Sequence, residues 1–287
     1  MTDATLDAAP APAAPASART GAPAAGAPRP VPFRGGGFQP SGRAWAGPLL
    51  FVLLIGIWEW GSASGWITPL TLPRPSAVAA VFGELWASGR LWEHLGPSLG
   101  RLAVGSALGL AAGIGVGLMI GLFSLARAGL APLVAALFPV PKIALLPLFV
   151  IWFGIDEASK YALIAFGVFT PTVVATYGGV DNVDRSLIRM GQSFGLSWRS
   201  IVLKIVLPGA APAILSGMRV SLAIAIILLV AAEMLGAEHG VGAFVLTAGS
   251  LYDLESLFCG VAILSALGLA VSFLIGRLER RLLDWRG

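Results

Sequence analysis

The chain has 287 residues and a formal net charge of +4; 56% of its residues are hydrophobic and 12% charged. A soluble domain carries about 25% charged residues, so the composition excludes an ordinary soluble fold and leaves one integral membrane domain. The basic balance does not point to nucleic acid, because basic residues beside apolar spans are what membrane topology requires.

Residues 1–44 are rich in Ala, Pro and Gly, with almost no large apolar side chains before Val31 and Phe33. Such a segment buries too little surface to offset its ordering entropy, so a disordered tail is expected. It does not read as a signal peptide, because Asp3 and Asp7 stand in place of a basic start and no apolar core follows. Arg19, Arg29, Arg34 and Arg43 precede the first apolar run and favour a cytoplasmic N-terminus.

Six spans follow over residues 45–287, each near the roughly 20 residues a bilayer needs. The first is expected over Trp45–Ser62, with Trp58, Trp60 and Trp66 as an interfacial belt and Glu59 snorkelling among them. Residues 66–95 form an external loop with a short helix over Ala77–Ser88, opened by Pro75. The second span, Leu99–Phe123, has glycine at 105, 109, 113, 117 and 121. That spacing puts small residues on one helical face and lets another helix approach closely.

The third span, Ala128–Phe153, is interrupted by Pro132, Pro139, Pro141 and Pro147. Prolines break the hydrogen-bond ladder, and broken backbone in lipid is tolerated where it is buried or lines a watery cavity. Lys142 sits inside this break. A mid-membrane ammonium marks an ion pair within the bundle (Glu233 being one candidate partner), a lining of the solute path, or a snorkelling side chain. The path candidates are therefore Pro141, Lys142, Pro147 and Glu233. The fourth span is Ser159–Tyr177. The fifth, Ala211–Leu235, carries Arg219 near one end and Glu233 near the other. Gly236–Ser256 is expected as an external loop and Leu257–Ile275 as the sixth span, ending in Arg277, Arg280, Arg281 and Arg286. Most basic residues then fall on one side, which puts both termini inside.

Between the fourth and fifth spans lies DNVDRSLIRMGQSFGLSWRSIVLKIVLP, residues 181–208. Val183, Leu187, Met190 and Phe194 share one helical face. Asp181 or Asn182 can cap a first helix, Gly195 can end it at positive φ, and Ser197 can cap a second. Ile201, Val202, Ile205 and Val206 form that helix's apolar stripe, and Pro208 is expected to stop it.

The chain offers no catalytic or metal constellation. Its lysines, Lys142, Lys160 and Lys204, never follow a glycine, so no phosphate-binding Gly-Lys-Ser/Thr loop exists. Cys259 stands alone, and His94 and His239 lie far apart in sequence and read as surface histidines.

The stretch 181–208 resembles the cytoplasmic coupling loop, or EAA loop, of ATP-binding-cassette importer permeases. Gly195-Leu196-Ser197-Trp198 matches its centre and Val206-Leu207-Pro208 its end, while Arg189-Met190-Gly191 stands where Glu-Ala-Ala would be. Pro141 to Leu148 with Trp152 to Ile155, Gly217-Met218-Arg219, Ala232 to Gly236, and Gly240-Val241-Gly242 resemble the nitrate/sulfonate/taurine branch. The resemblance covers residues 45–287. It implies an all-α, six-span type I ABC importer permease (MetI-like) fold in a bacterial inner membrane. It also implies a translocation path for a small anionic solute, with no enzyme activity or cofactor of its own. ATP would be bound by a cytoplasmic ATPase dimer, with a second permease copy and a periplasmic or lipid-anchored solute-binding protein as further partners. The coupling residues it implies are Arg189, Gly195, Leu196, Ser197, Trp198 and Pro208. An ion-gradient-driven secondary transporter is the alternative; the absence of an evident repeat weighs against it.

Overall fold

The computed structural model describes residues 45–283; the expected N-terminal tail and Arg286 lie outside the described residues. The described chain is helical. Its helices are α1 Ala46–Ala63, α2 Pro75–Ala87, α3 Arg90–Leu122, α4 Ser124–Leu137, α5 Leu146–Phe153, α6 Glu157–Asp181, α7 Arg185–Ser193, α8 Trp198–Gly236, α9 Val241–Ser250 and α10 Leu254–Leu282. Five of them, α1, α3, α6, α8 and α10, are long and apolar enough to cross a membrane.

The expected third span is split. Its halves, α4 and residues Lys142–Phe153, meet at 93°. Pro139 and Pro141 mark the break, because neither has an N–H to continue the ladder. Pro132 lies inside α4 and Pro147 in the first turn of α5, so these two do not interrupt.

Centrality is graded along the bundle. In α6, 61% of the most apolar stretch is buried, against 33% in α3 and 22% in α10. The reason is the glycine face of α3. A Cβ built on Gly105 or Gly113 would lie 2.7 Å from Ile164 or Thr172, and one on Gly121 would lie 2.8 Å from Val180. The partners advance in step with the glycines, so α3 and α6 run parallel with their backbones close. An adjoining face of α6 packs antiparallel on α8, Gly167 against Leu228 and Gly179 against Ala213. Leu163, Ile164, Val168, Ala225 and Leu229 are fully buried between these helices. Thr172 Oγ1 and Ser221 Oγ, 2.8 Å apart, pair across the α6–α8 seam.

Two segments differ from expectation. Glu59 does not extend freely to an interface: its carboxylate accepts from Ser76 N–H at 3.0 Å and Ser76 Oγ–H at 2.8 Å, and so caps α2. Gly236–Ser256 is not a loop throughout, since it contains α9. Val241, Gly242, Ala243 and Ala248 are buried there, and small residues let a ten-residue helix sit close to α8 and α10. At the far ends of the helices, Arg127 pairs with Asp181 and Arg219 with Glu279, each at 2.5 Å.

Gly113→Val should overpack the α3–α6 seam. Thr172 cannot yield, being held by Val168 O at 2.7 Å and by Ser221. The expected loss is about 1–3 kcal/mol, read as a lower thermal midpoint and less monodisperse protein in detergent. Gly115→Val is the control, since no atom lies within 4 Å of its Cβ position; equal effects from both variants would refute the close-packing account.

Candidate functional site

One end of the α3–α6–α8 core carries a buried charge cluster. Arg101, on α3, is 4% exposed and Glu233, on α8, is fully buried. Arg101 Nη1 donates to Glu233 Oε1 at 2.8 Å and to the His239 carbonyl at 2.6 Å. The rest of the guanidinium faces Glu157, the first residue of α6: Nε donates to Oε2 at 2.7 Å and Nη2 to Oε1 at 2.6 Å. This is the two-point fork–carboxylate arrangement that only arginine provides. Lys160, 4% exposed, lies 3.5 Å from Glu157 Oε1 and donates to the Ile155 carbonyl at 3.1 Å.

Glu233 is satisfied on every side. Besides Arg101 it accepts from Ser98 Oγ–H at 2.7 Å and from Gly242 N–H, at the start of α9, at 2.8 Å. Val241 N–H donates to Ser98 Oγ at 2.9 Å, which locks the serine. The N-terminus of α9 is therefore aimed at the carboxylate, where the helix dipole favours negative charge. This arrangement depends on two glycines. A Cβ on Gly240 would lie 2.5 Å from Glu233 Cδ and 2.7 Å from Arg101 Nη1, and Gly240 has φ +146°; one on Gly242 would lie 2.9 Å from Glu233 Cβ. The Gly240-Val241-Gly242 motif is thus the lid over a buried ion pair.

The cluster borders an open cleft of about 1060 Å³, lined by Arg101, Asp156, Glu157, Lys160, Glu238 and His239 among others. Glu157 stands in it half-exposed, at 46%, whereas Glu233 is sealed.

Two expectations are corrected here. Lys142 does not pair with Glu233: its Nζ donates to the Phe138 and Val140 carbonyls at 2.9 and 3.4 Å and lies 5.6 Å from the Phe138 ring centre. The cation serves carbonyls left outside the helix ladder by the proline break, so Pro141, Lys142 and Pro147 are neighbours in the bent segment, and Glu233 belongs to another cluster. The histidines, distant in sequence, are adjacent in space, with ring centres 6.1 Å apart; His94 Nδ1 lies 3.2 Å from Gly240 O. Antiparallel return of the chain brings them together; among the described residues no group of three metal-binding side chains forms.

The opposite end carries the helix–glycine–helix. Asp184, not Asp181 or Asn182, caps α7, accepting from Ser186 N–H at 2.8 Å, and that bond holds its carboxyl below the usual carboxylate range. Asp181 instead ends α6 and is engaged by Arg127. Gly195 turns the chain at φ +69°, as its position predicts, and Ser197 caps α8. Ile201 and Val206 are buried and Val202 and Ile205 half-buried, as the apolar stripe predicts. Gly191 is buried, with Ile205 Cδ1 2.9 Å from its Cβ position, while Arg189 and Met190 are exposed. Of the predicted α7 face, Val183 turns inward while Leu187, Met190 and Phe194 stay exposed, next to exposed Leu196 and Trp198. Pro208 does not stop the second helix. Leu207 N–H reaches back to Val202 O in a π turn over Val202–Val206, and this wider turn accommodates the proline ring. Trp198 to Gly236 is one continuous helix of 39 residues.

Arg101, Glu157, Ser98 and Lys160 were not singled out by sequence reasoning. A charge inside an apolar glycine-rich helix was the available signal for Arg101; its partners are 56 and 132 residues away.

Residues 109–284 match the family described as Binding-protein-dependent transport system inner membrane component. The chain is 37% identical over 240 residues to the putative aliphatic sulfonates transport permease protein SsuC of Bacillus subtilis, covering 84% of this chain and 87% of that protein. It is 35% identical to the taurine transport system permease protein TauC of Escherichia coli, covering 82% and 87%. Among solved structures, an inward-facing MetNI methionine ABC transporter aligns with a TM-score of 0.59 at 19% identity, covering 68% of this chain and 98% of that one.

Removing one member of the buried pair should cost about 3–5 kcal/mol. Glu233→Ala is expected to lower the thermal midpoint sharply in detergent, and Gly240→Ala to act in the same direction. Joint replacement, Arg101→Met with Glu233→Leu, should recover much of the loss; additive losses in the double variant would refute the pairing account.

Proposed function

The chain belongs to the binding-protein-dependent transport system inner membrane component family, and from that premise we propose how this permease subunit of an ABC importer carries its solute. The end bearing α7 and Trp198 faces the cytoplasm and receives the ATPase. The end bearing Arg101 and Glu233 faces the outside and the solute-binding protein. Two copies of the chain assemble with two ATPases. The transport domain of this reading is residues 45–287. The observation that carries this reading is α8. It runs without interruption from Trp198, at the exposed apolar surface, to Glu233 in the buried cluster, so a displacement imposed at one end reaches the other through a single element.

Arg189, Gly195, Leu196, Ser197, Trp198 and Pro208 are the coupling residues of this reading. Pro141, Lys142 and Pro147 line the path at the 93° bend. Glu233, sealed and fully bonded, acts there as a latch rather than as a solute ligand. The solute is a small sulfonate, aliphatic or of the taurine type, supported by the names of the relatives 35–37% identical; those names do not extend to nitrate. The family is one of binding-protein-dependent importers, and nothing supports an ion-gradient drive.

Uptake by vesicles holding the chain, its ATPase and its binding protein should require ATP and persist when the ion gradients are collapsed; gradient-driven uptake without ATP would overturn the reading. Lys142→Ala should impair uptake and Lys142→Arg retain more of it, with both variants reaching the membrane. Wild-type transport by both would remove Lys142 from the path. Gly195→Val forces a branched side chain to φ +69°, at a cost of about 1 kcal/mol or more, and mis-aims α7 against α8. It should still insert, yet lose ATPase binding or solute-stimulated ATP hydrolysis in nanodiscs. Normal coupling in that variant would reduce residues 181–208 to a linker.

A further inference from the structure

The two carboxylates on Arg101 are not equivalent. Glu233 has no exposure and three donor groups, whereas Glu157 is 46% exposed and, among the described residues, is held by Arg101 and Lys160. Two cations and two anions make the cluster neutral. If Glu157 turns into the cleft, Arg101 Nε and Nη2 lose their partner and one positive charge is left facing the cleft. The charge cannot retreat, because Nη1 stays fixed by Glu233 and by His239 O.

We infer that Arg101 and Lys160 form an anion subsite at the mouth of the cleft, for a sulfonate monoanion, which Glu157 fills as a built-in competitor in the conformation described here. The inference rests on the anionic-solute reading above and deepens it. Geometry supplies the match. A guanidinium fork that takes two carboxylate oxygens takes two sulfonate oxygens in the same way. Glu157 Oε1 is shared between Arg101 Nη2 at 2.6 Å and Lys160 Nζ at 3.5 Å, so a third sulfonate oxygen has the ammonium within reach. Glu157 is the first residue of α6, and the N-cap residue Asp156 makes no side-chain cap bond, so the N–H groups of that first turn add to the positive field. Asp156 and Glu238 also line the cleft; their charges keep the site weak, as a site that must release its anion requires.

Glu157→Gln keeps the side-chain shape and removes the competing charge, leaving Arg101–Glu233 intact. The full permease–ATPase complex in nanodiscs, without binding protein, is titrated with sodium methanesulfonate at constant ionic strength, and thermal stabilisation is read. The half-saturating concentration should be about tenfold lower in Glu157→Gln than in wild type, the scale of one hydrogen bond to a charged group. Adding Lys160→Gln should reverse most of the gain. Dimethyl sulfone, a neutral analogue, should give no stabilisation. The subsite is refuted if Glu157→Gln binds no tighter than wild type, if chloride reproduces the effect, or if dimethyl sulfone does. Sulfonate uptake by wild-type vesicles with the binding protein is measured in parallel. A binding gain without such uptake supports the subsite and overturns the substrate reading; uptake without a binding gain overturns the subsite alone.

Discussion

The structure depends on keeping an ion pair out of water. Taking Arg101 and Glu233 from solvent costs several kcal/mol per ion after relaxation, and their attraction returns this only when every remaining polar site is filled. That demand shapes the surroundings. Ser98 must be one turn before Arg101 on α3, and α9 must begin where its first N–H groups meet the carboxylate. Residues 240 and 242 must then be glycine, because any Cβ there would enter the space that the pair occupies. The short helix α9 is thus positioned by a charge as well as by its apolar face.

Arg101 also ties in α6 through Glu157, so the charge cluster joins α3, α6 and α8 at that end. Along the rest of the core the helices are joined by small residues and by one hydroxyl pair, Thr172 with Ser221. Such seams gain from dispersion and close backbone approach rather than from expelling water, which lipid does not reward. Rigid side-chain contacts of this kind transmit displacement instead of absorbing it.

Much of this was legible in the sequence. The i+4 glycine repeat of α3 gives its packed face directly, and the positive φ at Gly195 and the cap at Ser197 follow from residue type. The broken third span follows from Pro139 and Pro141. What could not be read was pairing across long sequence distance. His94 and His239 look unrelated until α9 folds back, and Lys142 looks like a partner for Glu233 until Arg101 takes that place. Pro208 misleads for a different reason. Proline cannot donate to an ordinary α turn, but a π turn immediately before it accommodates the ring, and nothing in residue type separates this from a helix stop. The ten residues of α9 are too few to span a bilayer, so their helix is set by contacts with α8 and α10 rather than by length.

The π turn then decides how α8 behaves as a mechanical element. From Ala213 to Leu228 the helix is fixed against α6 by Gly179, Gly217, Ser221 and Gly167 contacts. Before Ala213 it passes Pro212, Pro208 and the π turn at Val202–Val206, each of which lacks part of the regular ladder. On the proposed coupling, a displacement applied at Trp198 would be divided. The segment before Ala213 takes up rotation about the helix axis and small bends, since its missing bonds offer least resistance. Translation along the axis passes on, because Trp198 to Gly236 stays one continuous helix despite these missing bonds. What arrives at Glu233 is an axial shift, and the partners that oppose it sit on α3 and at the start of α9. A sealed, many-bonded carboxylate at that point has two arrangements, bonded or torn, and few between. That is the property a latch at the end of a transmitting helix requires.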